Sequence, residues 1–164
     1  MRRFVDALVY LDVGKGGSVT KRLKEEDKES KFFEATEFSQ SLTGAEFAKL
    51  IDAKTVANGD LLEGKKLHGY TLLDSIKVIL EMPYNEFPKL YGSSPERAFL
   101  FTEVSTGRSP LVVVRVSQMK PSVIVLHNID KVDRLAIRIA QVEKIPVLLT
   151  KLSIDEIRER LKKV

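Results

Sequence analysis

Two short polar stretches near the end of the chain hold the side chains best suited to chemistry. His127, Asn128 and Asp130 follow one apolar run, and Thr150 and Lys151 end a second. An imidazole titrates near neutral pH and can act as an acid or a base. A lysine and the N–H groups at a helix start attract anions. We therefore expect these five residues to bind a small anionic ligand.

Each of these residues also has a structural explanation. Asp130 is placed to cap a helix, Asn128 is a common turn residue, and Lys151 is an ordinary loop cation. His127 fits equally a hydrogen-bonded structural histidine. The favoured hypothesis is therefore a non-catalytic regulatory module that binds a small ligand or a protein partner. An enzyme that uses His127 with Asp130 is one alternative.

Other reaction types find little support in the sequence. The chain has no cysteine, which excludes disulfides, thiolate nucleophiles and cysteine-ligated metals. Asp6 and Asp12 share a strand face but lie about 20 Å apart along it, too far to hold one ion. There is no G-x-S-x-G nucleophile elbow. We expect no metal site, and the sequence identifies no cofactor.

A glycine-rich stretch at residues 14–20 follows a predicted strand at residues 4–13. Its spacing matches neither the P-loop nor the G-x-G-x-x-G fingerprint, because Lys15 precedes the second glycine and Val19 stands where the last glycine belongs. The following residues 21–31 are nearly all charged. A flexible charged loop between two strands is the preferred interpretation, with an anion cradle as the alternative.

The residues that would carry chemistry are positioned by a repeated strand–helix pattern at the end of the chain. Residues 122–127 and 145–150 are apolar without alternation, as in strands covered on both faces. Residues 131–142 between them have the apolar spacing of a helix. Ser153 with Glu156 forms a capping box that begins a last helix. This βαβα pattern predicts two parallel strands joined by a right-handed crossover.

Two further apolar runs precede that unit and favour a hairpin. Residues 97–104 and 111–117 are rich in β-forming side chains, and Thr106 to Pro110 connects them. We expect this antiparallel hairpin to belong to the same sheet and to lead into the C-terminal parallel unit. Its Leu111 to Val114 edge would be a liability if exposed, so we expect a homodimer that covers it.

The first half of the chain is predicted to form a hairpin and helix lobe. The predicted elements are a strand at 31–38, a helix at 44–51, a loop or short hairpin at 52–69, and a helix at 72–82 capped by Thr71. The fold class is then α/β with a mixed sheet. We expect one compact domain over residues 1–164, with sub-lobes at 1–60 and 70–164 as the alternative division.

Composition limits the class of protein. Charged residues make up 30% of the chain and hydrophobic ones 43%, which is globular rather than disordered. Abundant lysine and glutamate without cysteine or tryptophan is typical of thermophile proteins. No apolar run is long enough to span a membrane and Asp6 interrupts the first one, so we expect a cytoplasmic protein without a signal peptide.

Nucleic-acid binding is a second alternative. It rests on the net charge of +4 and on the charged residues 21–31. The basic residues are spread over helix faces and do not form the clustered patch with interleaved aromatics that nucleic-acid surfaces usually have. A solvated, slightly basic surface is therefore the preferred interpretation.

Residues 120–151 resemble the half-sheet units of DRTGG-type regulatory domains. The resemblance lies in the order of a strand, an acidic cap, a helix and a strand that begins Ile145-Pro146-Val147. It covers about a fifth of the chain, includes no signature glycines, and transfers no residue roles.

Overall fold

The computed structural model describes residues 32–164, in which six strands alternate with five α-helices. The strands are β1 Phe33–Thr43, β2 Lys54–Ala57, β3 Lys66–Asp74, β4 Ala98–Thr102, β5 Val123–His127 and β6 Val147–Thr150. The helices are α1 Gly44–Leu50, α2 Ser75–Glu81, α3 Arg108–Val116, α4 Arg134–Glu143 and α5 Ile154–Lys162, and 3₁₀ turns cover Gly59–Gly64 and Tyr84–Tyr91. The predictions for residues 4–13, 14–20 and 21–31 lie outside the described residues.

All six strands form one mixed sheet in the order β1-β3-β4-β5-β6-β2. The four central strands are parallel, and β1 and β2 pair antiparallel with β3 and β6 at the two edges. The parallel strands therefore end at one edge of the sheet, where His127 lies opposite Thr150. The predicted α/β class with a mixed sheet is confirmed.

The sheet separates two hydrophobic clusters, which explains the uninterrupted apolar runs. In β5, Ile124 and Leu126 pack into one cluster, whereas Val123 and Val125 pack into the other. Residues of α2, α3 and α4 belong to the first cluster, and residues of α1 and α5 belong to the second. A strand covered on both faces needs apolar side chains at every position.

The C-terminal βαβα unit is present as β5-α4-β6-α5, with one correction at a helix start. Ser153 caps α5 by accepting a hydrogen bond from the Glu156 N–H at 3.2 Å. Helix α4 is capped by Asp133, which accepts from the Leu135 N–H at 2.9 Å. The prediction that Asp130 caps this helix is therefore wrong, because Asp133 is the residue that caps its first turn.

The predicted hairpin at residues 97–117 is wrong in its second half. β4 is a parallel strand between β3 and β5, and residues 111–116 belong to α3. Valine favours strands, but burial between the sheet and α4 overrides that preference. Because Leu111 to Val114 are buried in the core, the exposed edge that motivated a homodimer does not exist. The homodimer itself stays a prediction.

The first half of the described chain differs from prediction at several boundaries. The predicted helix at 44–51 is present as α1, with Thr43 and Glu46 forming a capping box at 3.1 and 3.0 Å. The stretch 52–69 contains β2 and the start of β3, which continues through Thr71. Asp74, not Thr71, therefore caps α2, because burial between neighbouring strands keeps Thr71 to Leu73 extended. Within residues 32–164, no helix is long and apolar enough to cross a bilayer.

Candidate ligand-binding site

A cavity of about 710 Å³ opens where β3, β4 and β5 end. We call it the strand-end cleft. The start of β1, helix α5 and the ends of the three parallel strands supply its lining, which is Phe32, Phe33, Glu34, Leu72, Asp74, Thr102, Glu103, Val104, His127, Asn128, Ile154 and Arg158. The wall of the cleft thus contains both polar or charged side chains and apolar ones.

Two lining residues have the left-handed backbone conformation. Glu103 follows β4 with φ of 57°, and Asn128 follows β5 with φ of 61°. Asparagine tolerates this region, whereas it is uncommon for glutamate. Each of the two directly follows the last residue of its strand and lines the cleft. Strain of this kind occurs at functional sites, although Asp52, Asn58 and Lys144 have the same conformation outside the cleft.

His127 is held in one orientation at the edge of the cleft. Its Nε2 lies 2.7 Å from the Leu152 carbonyl oxygen. A carbonyl only accepts hydrogen bonds, so Nε2 carries the proton and donates. The Nδ1 atom of the neutral ring is then an acceptor. Asn128 is fixed through its backbone, because its N–H donates to the Thr150 carbonyl at 2.8 Å.

Arg158 is the cation of the cleft, and it lies beside a second cavity. Its Nη2 donates to Glu34 Oε2 at 2.6 Å, and its Nη1 lies 3.5 Å from Asp155 Oδ1. The hydrogen bond that Arg158 donates to the Glu34 carboxylate raises the pKa of Arg158. Phe32, Phe33, Glu34 and Arg158 also line a neighbouring cavity of about 790 Å³. The pair between Glu34 and Arg158 therefore belongs to the wall that both cavities share.

Asp130 and Lys151 lie together, but away from the cleft. They form an exposed ion pair and line a separate pocket of about 350 Å³ beside β2 and β6. The hydrogen bond from Lys151 lowers the pKa of Asp130. No hydrogen bond or ion pair in the described chain joins Asp130 to His127. The arrangement therefore gives no support to an enzyme that uses these two residues together.

Thr150 lies in the core. Its side chain is 2% exposed, and its Oγ1 donates to the Ile51 carbonyl at 2.7 Å, which ties β6 to the end of α1. Of the five predicted residues, His127 and Asn128 thus line the strand-end cleft, Asp130 and Lys151 line the separate pocket beside β2 and β6, and Thr150 lies in the core. Their role in ligand binding stays a prediction. Among residues 32–164 there is also no cluster of three or more His, Asp or Glu that could hold a metal ion.

Sequence reasoning missed two charged residues that line the cleft. Glu34 comes from β1 and Arg158 from α5, and they are 124 positions apart. No local pattern relates them. The available signal was an arginine in the second turn of a helix that follows a parallel strand, and the sequence alone shows it only as one of the basic residues spread over helix faces.

Comparison with known proteins gives two relatives of nearly the whole chain. No family model matches the sequence. An uncharacterised HTH-type transcriptional regulator of Archaeoglobus fulgidus is 39% identical over 167 residues, covering 99% of this chain and 71% of the relative. One of Methanocaldococcus jannaschii is 42% identical over 170 residues, covering 100% of this chain and 70% of the relative.

One solved structure is similar at low identity. It contains the CBS and DRTGG domains of the regulatory region of Clostridium perfringens pyrophosphatase, complexed with the activator diadenosine tetraphosphate. The TM-score is 0.46 with 12% identity, over 70% of this chain and 43% of that chain.

Proposed function

This chain belongs to the family of HTH-type transcriptional regulators that its two archaeal relatives represent, and we propose that residues 32–164 sense a small ligand for such a regulator. The strand-end cleft is the observation that carries the proposal. In open α/β sheets, ligands bind beyond the carboxyl ends of parallel strands. The volume of about 710 Å³ is also within the usual range for small-molecule sites.

The charged and hydrogen-bonding side chains of the lining indicate which chemical groups the ligand would carry. Arg158 is the natural partner of an anionic group, which would take the place of Glu34 on the guanidinium. Asp74 and Glu103 add negative charge, and Nδ1 of a neutral His127 ring accepts hydrogen bonds, so a ligand that also carries N–H donors fits best. We propose a small polar ligand with one anionic group and at least one amino or amide group.

A sensing role agrees with the order of elements. A helix-turn-helix needs two α-helices joined by a short turn. In the described part of the chain, a strand separates every two consecutive α-helices. We therefore propose that residues 32–164 regulate the DNA-binding activity of the regulator and do not read DNA themselves. Residues 21–31, which support the nucleic-acid alternative, lie outside the described residues.

A thermal-shift experiment tests the ligand-binding role. The melting temperature of the unmodified chain and of the Arg158→Gln variant is measured with and without each compound of a panel of amino acids, nucleotides and small carboxylates. A ligand at about 100 times its Kd stabilises a protein by about 2.7 kcal/mol, which raises Tm by on the order of 5 to 10 °C at this size. We expect such a rise for at least one compound and a much smaller one in Arg158→Gln.

The matched control is Lys163→Gln, which removes one positive charge just beyond α5. Lys163 lines neither the strand-end cleft nor the second cavity. It should keep the full rise in Tm. The proposal is contradicted if no compound stabilises the chain, or if Arg158→Gln and Lys163→Gln respond alike.

A further inference from the structure

Helix α4 carries an apolar stripe beside its buried residues, and part of this stripe is exposed to solvent. Ala136 and Ala140 are its buried residues. Leu135, Ile139 and Val142 follow at i, i+4 and i+7, so they lie along one line of the helix. Leu135 is 44% exposed and Val142 is 62% exposed, whereas Ile139 between them is half-buried and packs against the first hydrophobic cluster. Single exposed aliphatic residues are common, but two exposed ones aligned with a third that is half-buried form a surface that can bind a partner.

A row of cations flanks this stripe. Arg134 and Arg138 are four positions apart on the same exposed side of α4, and Lys131 and Lys144 are exposed just before and just after the helix. Among the interactions of the described residues, none of the four has a hydrogen bond or ion pair from its side chain to a carboxylate. The outward face of α4 is therefore both apolar and positive.

The acidic residues of α4 cannot neutralise that face, because both are already bound. Asp133 accepts two hydrogen bonds from Arg108, at 2.8 and 3.1 Å. Glu143 pairs with Arg115 at 2.5 Å and with Lys120 at 3.1 Å. These pairs connect the two ends of α4 to helix α3 and to the residues that follow it. Asp133 and Glu143 are thus paired within the fold, whereas the side chains of Arg134 and Arg138 can contact solvent or a partner.

We propose that the outward face of α4 binds an acidic amphipathic helix of a protein partner. Apolar positions of that helix at i, i+4 and i+7 would cover Leu135, Ile139 and Val142, and its carboxylates would pair with Arg134 and Arg138. A second copy of α4 is a poor occupant, because it would bring the same positive charges together. DNA is also a poor occupant, because phosphates gain nothing from three central aliphatic side chains.

The test uses a synthetic helical peptide of about 18 residues with leucines at i, i+4 and i+7 and glutamates on both flanks. Its binding to the chain is measured by fluorescence anisotropy, beside a duplex DNA of similar charge. We expect saturable peptide binding that weakens about tenfold in the double variant Leu135→Ser/Val142→Ser and in Arg138→Glu. Binding should also weaken as NaCl rises from about 50 to about 300 mM.

The control variant is Lys163→Glu, because α5 packs in the cluster on the opposite face of the sheet and Lys163 lies far from α4. It should bind the peptide as the unmodified chain does. All substituted positions are exposed, so an unchanged Tm checks folding. The proposal fails if the peptide does not saturate or if the control weakens binding equally. It also fails if DNA binds more tightly than the peptide and depends on Arg138 alone.

Discussion

Arg97 is the residue on which the first edge of the sheet depends. Its side chain is 0% exposed and pairs with Glu37 of β1. It also donates to the Ser94 and Tyr70 carbonyls at 2.9 and 3.3 Å and to Thr71 Oγ1 at 3.2 Å. A buried cation needs a charged partner, so one arginine fixes β1, β3 and the turn before β4 together.

Removing the charge of Glu37 should destabilise the fold. Glu37→Gln leaves the Arg97 cation buried without its counter-ion. Breaking buried ion pairs costs about 3–5 kcal/mol, and we expect about 2–3 kcal/mol here because Glu37 is itself 44% exposed. Glu34→Gln, which breaks the half-exposed pair of β1 with Arg158, is the control and should cost less than about 1 kcal/mol. Urea unfolding measures both, and equal losses would contradict the account.

The same pair predicts how stability depends on pH. Burial alone would raise the pKa of Glu37, but hydrogen bonds from Ser93 and Arg97 outweigh it, and the pKa is lowered from 4.5. A lowered pKa means that this contribution is fully present above the pKa of the unfolded chain and is lost as pH falls through the folded value. Between pH 7 and about pH 3, the unmodified chain should therefore lose more stability than Glu37→Gln. An equal loss of unfolding free energy in the two proteins over this pH range would contradict the prediction.

At the residue scale, sequence finds side chains near strand ends but not their neighbours across the fold. His127 and Asn128 line the cleft because the parallel strand β5 ends at His127. Thr150 ends the next strand but turns into the core, where the Ile51 carbonyl accepts its hydrogen bond. Arg158 of α5 lines the cleft beside Glu34 of β1, to which it donates a hydrogen bond. Contacts of this kind are set by packing and leave no local pattern.

Helix α3 is the element at which local propensity and packing disagree. Its core, Leu111 to Val114, has the composition of a strand and is buried throughout. Gly107 precedes the helix with φ of 84°, and Pro110 lies in the first turn, where its missing N–H is no loss. These two residues begin the helix, and the sheet and α4 stabilise it. A glycine and a proline before an apolar run were the signal for a helix.

Substituting Gly107 tests that assignment. Gly107→Ala places a side chain in the left-handed region and puts its Cβ 2.7 Å from Leu126 Cδ1, in the core. We expect a loss of about 1–2 kcal/mol, because an L-residue is strained there. Gly64→Ala is the matched control, since an added Cβ at that exposed position meets nothing within 4 Å. It should change stability by less than about 0.5 kcal/mol in thermal unfolding. A tolerated Gly107→Ala would contradict the assignment.

At the scale of the whole molecule, the sheet order could not be predicted from the sequence. The C-terminal βαβα unit follows from neighbouring segments, because a helical crossover places consecutive strands side by side. The edge strands β1 and β2 both come from residues 33–57, yet they flank opposite sides of the parallel core. No local pattern specifies which edge of the parallel core each of these strands joins.

The central claim is that the strand-end cleft receives a ligand, and nuclear magnetic resonance mapping tests it most directly. The ¹⁵N-labelled chain is titrated with the panel of amino acids, nucleotides and small carboxylates. We predict that backbone amide shifts concentrate at Phe33, Glu103, His127 and Asn128, and that Ala98 and Val123 at the opposite strand ends stay unchanged. Shifts that concentrate elsewhere, or their absence across the whole panel, would contradict a ligand-sensing role for this cleft.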